Sequence, residues 1–175
     1  AMACMRGAEV TRLPSVAFAA ELAARPRDAL SSVDAARTYY VVNPGGDLPR
    51  SSERFAALVA RLHEHVPNVV SGWHGRNKEE PGGEEFQAAL AEQDLLVYFG
   101  HGGGQKYFNP ARRLPRSAVA LLLGCSSALL TQQGEFEPNG LVVSYLANGC
   151  PAVLGNLWDV TDADMDALTE HLLTT

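Results

Sequence analysis

His101 and Cys125 are the two side chains in this sequence whose types and surroundings are suited to covalent chemistry. Each directly follows a glycine that closes a continuous apolar run, Leu95 to Phe99 before His101 and Val119 to Leu123 before Cys125. A thiol is a useful nucleophile when a nearby His⁺ or a helix N-terminus raises its thiolate fraction. An imidazole beside it can protonate a leaving amine as general acid. Together they are the minimum kit for a cysteine nucleophile with a histidine acid/base. Gly102, Gly103 and Gly104 allow close backbone approach, so the N–H groups of Gly102 and Cys125 are the candidate oxyanion hole. Correctly aimed, such a donor contributes about 3–4 kcal/mol to the transition state. No third residue that would orient the imidazole is evident, so the sequence predicts a dyad.

The elements that must position these residues follow from the apolar pattern. Runs without polar alternation read as strands buried on both faces of a parallel sheet, and ligands bind outside the carboxyl ends of such strands. Arg37 to Asn43 is β-branched and aromatic and stops at Pro44-Gly45-Gly46, a strand ending in a turn. Apolar residues at 55, 58, 59 and 62 predict a helix over Ser51 to His65, with Ser51 or Ser52 as N-cap. Further along, Asn68 to Ser71 reads as a short strand, Glu84 to Gln93 as a helix and Pro151 to Trp158 as a buried strand. A helix is expected from Glu137-Pro138-Asn139-Gly140 to Asn148, and another from Thr161 onward. At the start, Ser15 to Leu30 reads as helical with a break at Pro26. Alternating strands and helices place the chain in the α/β class, with a mostly parallel sheet covered on both faces. Residues 1–36 read as a helical or linker segment and 37–175 as the domain proper. The abrupt ends suggest a piece cut from a longer polypeptide.

Composition narrows the function classes. At 175 residues with 46% hydrophobic and 19% charged side chains, the chain suits one compact domain. A formal net charge of −6 and the lack of a basic patch with interleaved aromatics argue against direct nucleic-acid binding. No apolar run reaches the roughly 18 residues of a membrane span. Three cysteines, Cys4, Cys125 and Cys150, form no metal-like spacing and suit a reducing compartment. Neither metal nor organic cofactor is implied.

Plainer roles compete for the same residues. A cysteine at a strand end can be a small buried hydrophobe, and Cys150, before Pro151, is read that way. His63 and His65 fall at the exposed end of a helix, and His74 is read as structural although it could approach the site. Trp73 and Trp158 are read as core or pocket wall. A rival chemistry takes His-Gly-Gly-Gly as an esterase oxyanion motif and Ser126 as the nucleophile of an elbow. Against it, Ala128 replaces the last glycine and the only later histidine, His171, lies in the terminal helix. A third possibility is a silent docking module for an inhibitor or partner chain, which the intact His101 and Cys125 disfavour.

Several tracts taken together resemble the protease domain of the separase family. They are Tyr40 to Leu48 (Tyr-Val-Val-Asn-Pro-Gly-Gly-Asp-Leu), Gly72-Trp73, Tyr98 to Gly102, Leu123 to Ser127, and Asn156 to Asp162 (Asn-Leu-Trp-Asp-Val-Thr-Asp). The resemblance runs from about Thr38 to about Leu168. Gly103 stands where the family usually has serine or alanine, and Ala128 where glycine is common. The resemblance implies a caspase-like three-layer α/β/α sandwich and a cysteine endopeptidase with Cys125 as nucleophile and His101 as acid/base. It further implies cleavage after arginine, in a Glu-x-x-Arg context, of the kleisin subunit of cohesin, releasing sister chromatids at anaphase. A securin-type inhibitor acting as pseudosubstrate and a nuclear and cytoplasmic location are implied with it. Arginine at the cleavage point calls for a carboxylate. Among Asp159, Asp162, Asp164 and Asp166, the first choice is Asp166 and the second Asp159, with solvated acids at a helix start as the plain alternative. Asp162 could instead cap that helix. Arg112, Arg113 and Arg116 could meet an acidic substrate or simply be solvated.

Overall fold

The computed structural model describes residues 16–24, 32–111 and 114–174. Five parallel strands make the central sheet: β1 (Thr38–Val42), β2 (His74–Asn77), β3 (Leu95–Phe99), β4 (Val119–Leu122) and β7 (Val153–Gly155). Their order is β2-β1-β3-β4-β7. Two short antiparallel strands, β5 (Thr131–Gln133) and β6 (Phe136–Asn139), form a separate hairpin. The helices are α1 (Val16–Ala23), α2 (Pro49–His65), α3 (Pro67–Val70), α4 (Gly83–Glu92), α5 (Leu141–Ala147) and α6 (Asp162–Thr174).

The apolar runs do what an uninterrupted pattern requires, burying alternate residues on opposite faces of the sheet. Tyr39, Val41, Leu96, Tyr98, Ala120 and Leu122 pack on one side with Phe86 and Leu90 of α4 and Tyr145 of α5. Val42, Val97, Phe99 and Leu123 pack on the other with Phe55 of α2 and Met165 of α6. The result is helix, sheet, helix: the three-layer α/β/α sandwich. Phe86 and Leu90 have no exposed surface, and each contributes about 1.5–3 kcal/mol by leaving water.

Three local readings are corrected by these contacts. Asn68 to Ser71 is not a strand: Pro67, pre-set for a first helical position, starts the single turn α3, and the chain pairs with β1 only from His74. The helix α2 begins at Pro49, with Leu48 as an N-cap that makes no side-chain bond; Ser51 and Ser52 are buried inside it. Residues 136–139 belong to the β5–β6 hairpin, so the next helix starts only at Leu141. The helix expected over Ser15 to Leu30 is not among the corrections: Val16–Ala23 is helical, and Ser15, residues 25–30 and Cys4 lie outside the described residues.

Candidate active site

The strand order reverses direction beside β1, because β2 lies on one side of it and β3 on the other. Ligands of open α/β sheets bind in the crevice at such a switch point, outside the carboxyl ends. The loops leaving β1, β3 and β4 carry Asp47, His101 and Cys125 respectively.

Register brings the His101 and Cys125 loops to the same edge of the sheet. The β3–β4 ladder pairs Leu95 with Val119 and Tyr98 with Leu122, so the two loops leave the sheet level with one another, His101 three residues past Tyr98 and Cys125 three past Leu122. Neighbouring strands run about 4.8 Å apart. Beyond the ladder the two loops stay in backbone contact. A Cβ on Gly124 would lie 2.0 Å from the Gly102 carbonyl oxygen and 2.2 Å from that of Gly100. Only glycine permits this approach before Cys125, whereas a Cβ on Gly100 would sit 3.0 Å from Pro44 Cδ and from the Tyr98 hydroxyl.

Each loop is held by buried bonds. The Tyr98 hydroxyl donates to the His101 carbonyl at 3.0 Å and the Tyr145 hydroxyl to the Gly103 carbonyl at 3.1 Å. Gly102 has φ +62°, a left-handed geometry that suits its residue type. On the cysteine loop, Ser127 Oγ donates to the Leu122 carbonyl at 2.5 Å and accepts from Asn156 N–H at 3.0 Å. Asn156 Nδ2 donates to the Gly124 carbonyl at 3.0 Å. Burial drives the Tyr98 and Tyr145 hydroxyls above the ordinary tyrosine value, so both remain donors. Cys125 and its followers form a turn rather than a helix. Its Sγ, exposed, lies 3.2 Å from the Val160 carbonyl oxygen, to which the thiol can donate. Among the described residues, neither the Gly102 nor the Cys125 N–H donates to a protein backbone group, whereas the Gly103 N–H is taken by Gln105 Oε1 at 3.0 Å.

Asp47 escaped the reading of the sequence. Its Oδ2 lies 2.8 Å from His101 Nε2, and the hydrogen bond to the imidazole holds its carboxyl below the ordinary carboxylate value. The signal was present, since a carboxylate follows a Pro-Gly-Gly turn at the end of β1, but nothing local connects that turn with a residue 54 positions away.

Other candidates fall into place around this centre. Asp159 accepts a 2.6 Å hydrogen bond from the Oγ of Ser126, the residue after Cys125. Ser126 therefore faces a carboxylate rather than an imidazole, which argues against the esterase arrangement. Asp166, only 10% exposed, is paired with Arg54 of α2 and lines a cavity of about 480 Å³ between α2 and α6, with Phe99 and Glu170. Thr161 rather than Asp162 caps α6, its Oγ1 accepting from Asp164 N–H at 3.2 Å. Arg116 pairs with Asp94 at the opposite, amino end of the sheet, remote from Cys125; Arg112 and Arg113 lie outside the described residues. Trp158 is 68% exposed and is not core, although its carbonyl accepts the Ser126 N–H. Trp73 is partly buried and donates to the Ala35 carbonyl. His74, exposed at the start of β2, packs edge-on against Tyr39. Cys150 is fully buried.

A five-stranded parallel sheet between two helical layers, with its candidate residues on the loops at the carboxyl ends, is the caspase-like class of α/β sandwich. The profile of the separin protease domain matches residues 1–165. Separin of Mus musculus is 43% identical over 171 residues, 94% of this chain and 8% of its own length. Separin of Schizosaccharomyces pombe is 35% identical over 175 residues, 97% of this chain and 9% of its own. Among solved structures, a chain of the Saccharomyces cerevisiae separase–securin complex superposes with a TM-score of 0.79 at 35% identity, covering 94% of this chain and 11% of that one. The chain belongs to the separin family, and spans under a tenth of the length of these curated relatives.

Proposed function

We propose that this domain is a separase-type cysteine endopeptidase that cleaves after arginine. The observation that supports it most is the register of β3 and β4, which starts the loops of His101 and Cys125 level with one another and in backbone contact, both side chains exposed. In this reading the Cys125 thiol gives its proton to His101 and Sγ attacks the scissile carbonyl. The oxyanion is received by the Gly102 and Cys125 N–H groups. As the C–N bond breaks, His101 returns the proton to the departing amine, leaving an acyl-enzyme. Water then attacks the thioester, giving a proton to His101, and the thiol leaves with that proton restored.

A substrate arginine needs a carboxylate partner. Asp159, beside the nucleophile, has solvent access and one hydrogen bond already accepted from Ser126. Asp166 already holds a guanidinium, that of Arg54, so a substrate side chain would have to displace it. The first favours Asp159 and the second shows that Asp166 can hold a guanidinium; Asp159→Asn and Asp166→Asn separate them by which one raises KM for arginine substrates.

The proposed substrate is the kleisin subunit of cohesin, cut in a Glu-x-x-Arg context to release sister chromatids, in the nucleus and cytoplasm. A securin-type chain is the proposed inhibitor, in keeping with the yeast complex that this chain resembles. An arginine-ended acyloxymethyl-ketone probe tests the chemistry. Labelling that vanishes in Cys125→Ser supports the peptidase. Labelling that survives there but fails in Ser126→Ala supports the esterase, and inertness of every form supports a docking module.

A further inference from the structure

We propose that Asp47 is the positioning residue of His101: its carboxylate takes the Nε2 proton of the ring and so leaves Nδ1 as the atom that exchanges a proton with the thiol and the leaving amine. The inference deepens the peptidase reading and rests on it. An ionised carboxylate can only accept a hydrogen bond, so at 2.8 Å from Asp47 Oδ2 the Nε2 atom must be the protonated one. In a neutral imidazole one nitrogen donates and the other accepts, and Nδ1 is then free to receive the thiol proton. When it does, the ring becomes a cation whose charge faces the Asp47 carboxylate. The proton goes on from Nδ1 to the amine, and Asp47 keeps its hydrogen bond without being protonated.

The loop is built to hold that carboxylate in place. Asn43, at the end of β1, is fully buried with φ +48°. Its N–H donates to the Phe99 carbonyl at 2.7 Å, tying the β1 loop to the β3 end two residues before His101. Its side chain donates to Ser52 Oγ at 3.0 Å and accepts from the Leu48 N–H at 2.9 Å. The Gly46 N–H closes the turn on the Asn43 carbonyl at 3.0 Å. Asp47 is thus bracketed by two bonded neighbours, although its own side chain is 59% exposed and that of His101 70%. The other charges lining this pocket, Glu80 and Lys106, are paired with each other at 2.5 Å, and Tyr98 is committed to the His101 carbonyl. Asp47 is the anion that addresses the ring.

A buried carboxylate in this role is worth about 10⁴-fold in rate. Solvent competes at an exposed pair, so roughly tenfold is expected here. The test is ¹⁵N NMR of the His101 ring in the 175-residue chain above neutral pH, comparing wild type, Asp47→Asn and Asp47→Glu, with the rate of arginyl-ketone labelling measured alongside. Expected are an Nε2–H ring in wild type, a mixture of tautomers in Asp47→Asn, and recovery in Asp47→Glu. Labelling should fall about tenfold in Asp47→Asn, with the half-saturating probe concentration unchanged. An Nδ1–H ring in wild type, or the same tautomer mixture in all three proteins, overturns the proposal. A wild-type chain that shows the Nε2–H ring yet never labels instead refutes the peptidase reading, so the two failures are distinct.

Discussion

Gly124→Ala isolates the contact on which the proposed chemistry depends. The added methyl would sit 2.0 Å from the Gly102 carbonyl oxygen and 2.2 Å from that of Gly100. A carbon and a carbonyl oxygen do not pack closer than about 3 Å, so one loop must retreat by about 1 Å. Both opposing atoms are backbone, and no side chain can swing aside. Gly124 does not occupy the left-handed region, so the penalty is contact and not torsion. A displacement of about 1 Å at reacting groups costs roughly 10²-fold, or about 2.7 kcal/mol in the barrier. The fold should suffer less, with overpacking of this kind costing about 1–3 kcal/mol. The assay is kcat/KM on an arginine-containing peptide together with a urea melt of the same preparation. Gly83→Ala serves as control, because its Cβ would meet nothing nearer than 3.9 Å in the first turn of α4, where alanine is the better helix former. The expected result is a folded Gly124→Ala protein that is about 100-fold slower and a control with wild-type rate. A Gly124→Ala protein within about threefold of wild type would refute the claim that the two loops meet as described.

Three further outcomes follow from the same framework. Ser127→Ala removes a buried hydroxyl that serves both Leu122 and Asn156, and should lower the urea-derived stability by about 1–3 kcal/mol; a loss below about 0.5 kcal/mol would contradict that bonding. Tyr145→Phe strips the donor from the Gly103 carbonyl in a fully buried site, and should cost about 1–2 kcal/mol while slowing Cys125 labelling, since the histidine loop loses an anchor. Glu85 is held below its ordinary value of 4.5 first by the Arg76 guanidinium and then by the Tyr39 hydroxyl. Its folded value is the lower one, so its stabilisation is complete above about pH 4.5 and fades as pH falls through the folded value. The melting-temperature gap between wild type and Glu85→Gln should therefore narrow on acidification, and a gap that stays constant from pH 7 to about 3.5 would show the pair to be irrelevant.

What could be read directly were features whose cause is local. The runs before Gly100 and Gly124 could only be strands buried on both faces, and glycine followed by a reactive residue marked their ends. The β5–β6 hairpin was missed because its residues are exposed along most of its length and no apolar alternation announces it. Pro67 was passed over as a helix start because one turn is too short to show a period. Asp166 looked free in the sequence, and its pairing with Arg54 of α2 spans 112 positions.

By itself the sequence determined the class of the sheet and the common edge to which two candidate side chains, His101 and Cys125, belong, because periodicity, glycine and residue chemistry act over a few positions. Only the tertiary structure decided which strands are neighbours, that Gly124 abuts the backbone of Gly102, and that Asp47 meets His101. Those facts depend on closing loops between distant segments, and the free energy that selects one closure comes from the packed core as a whole rather than from any stretch of chain.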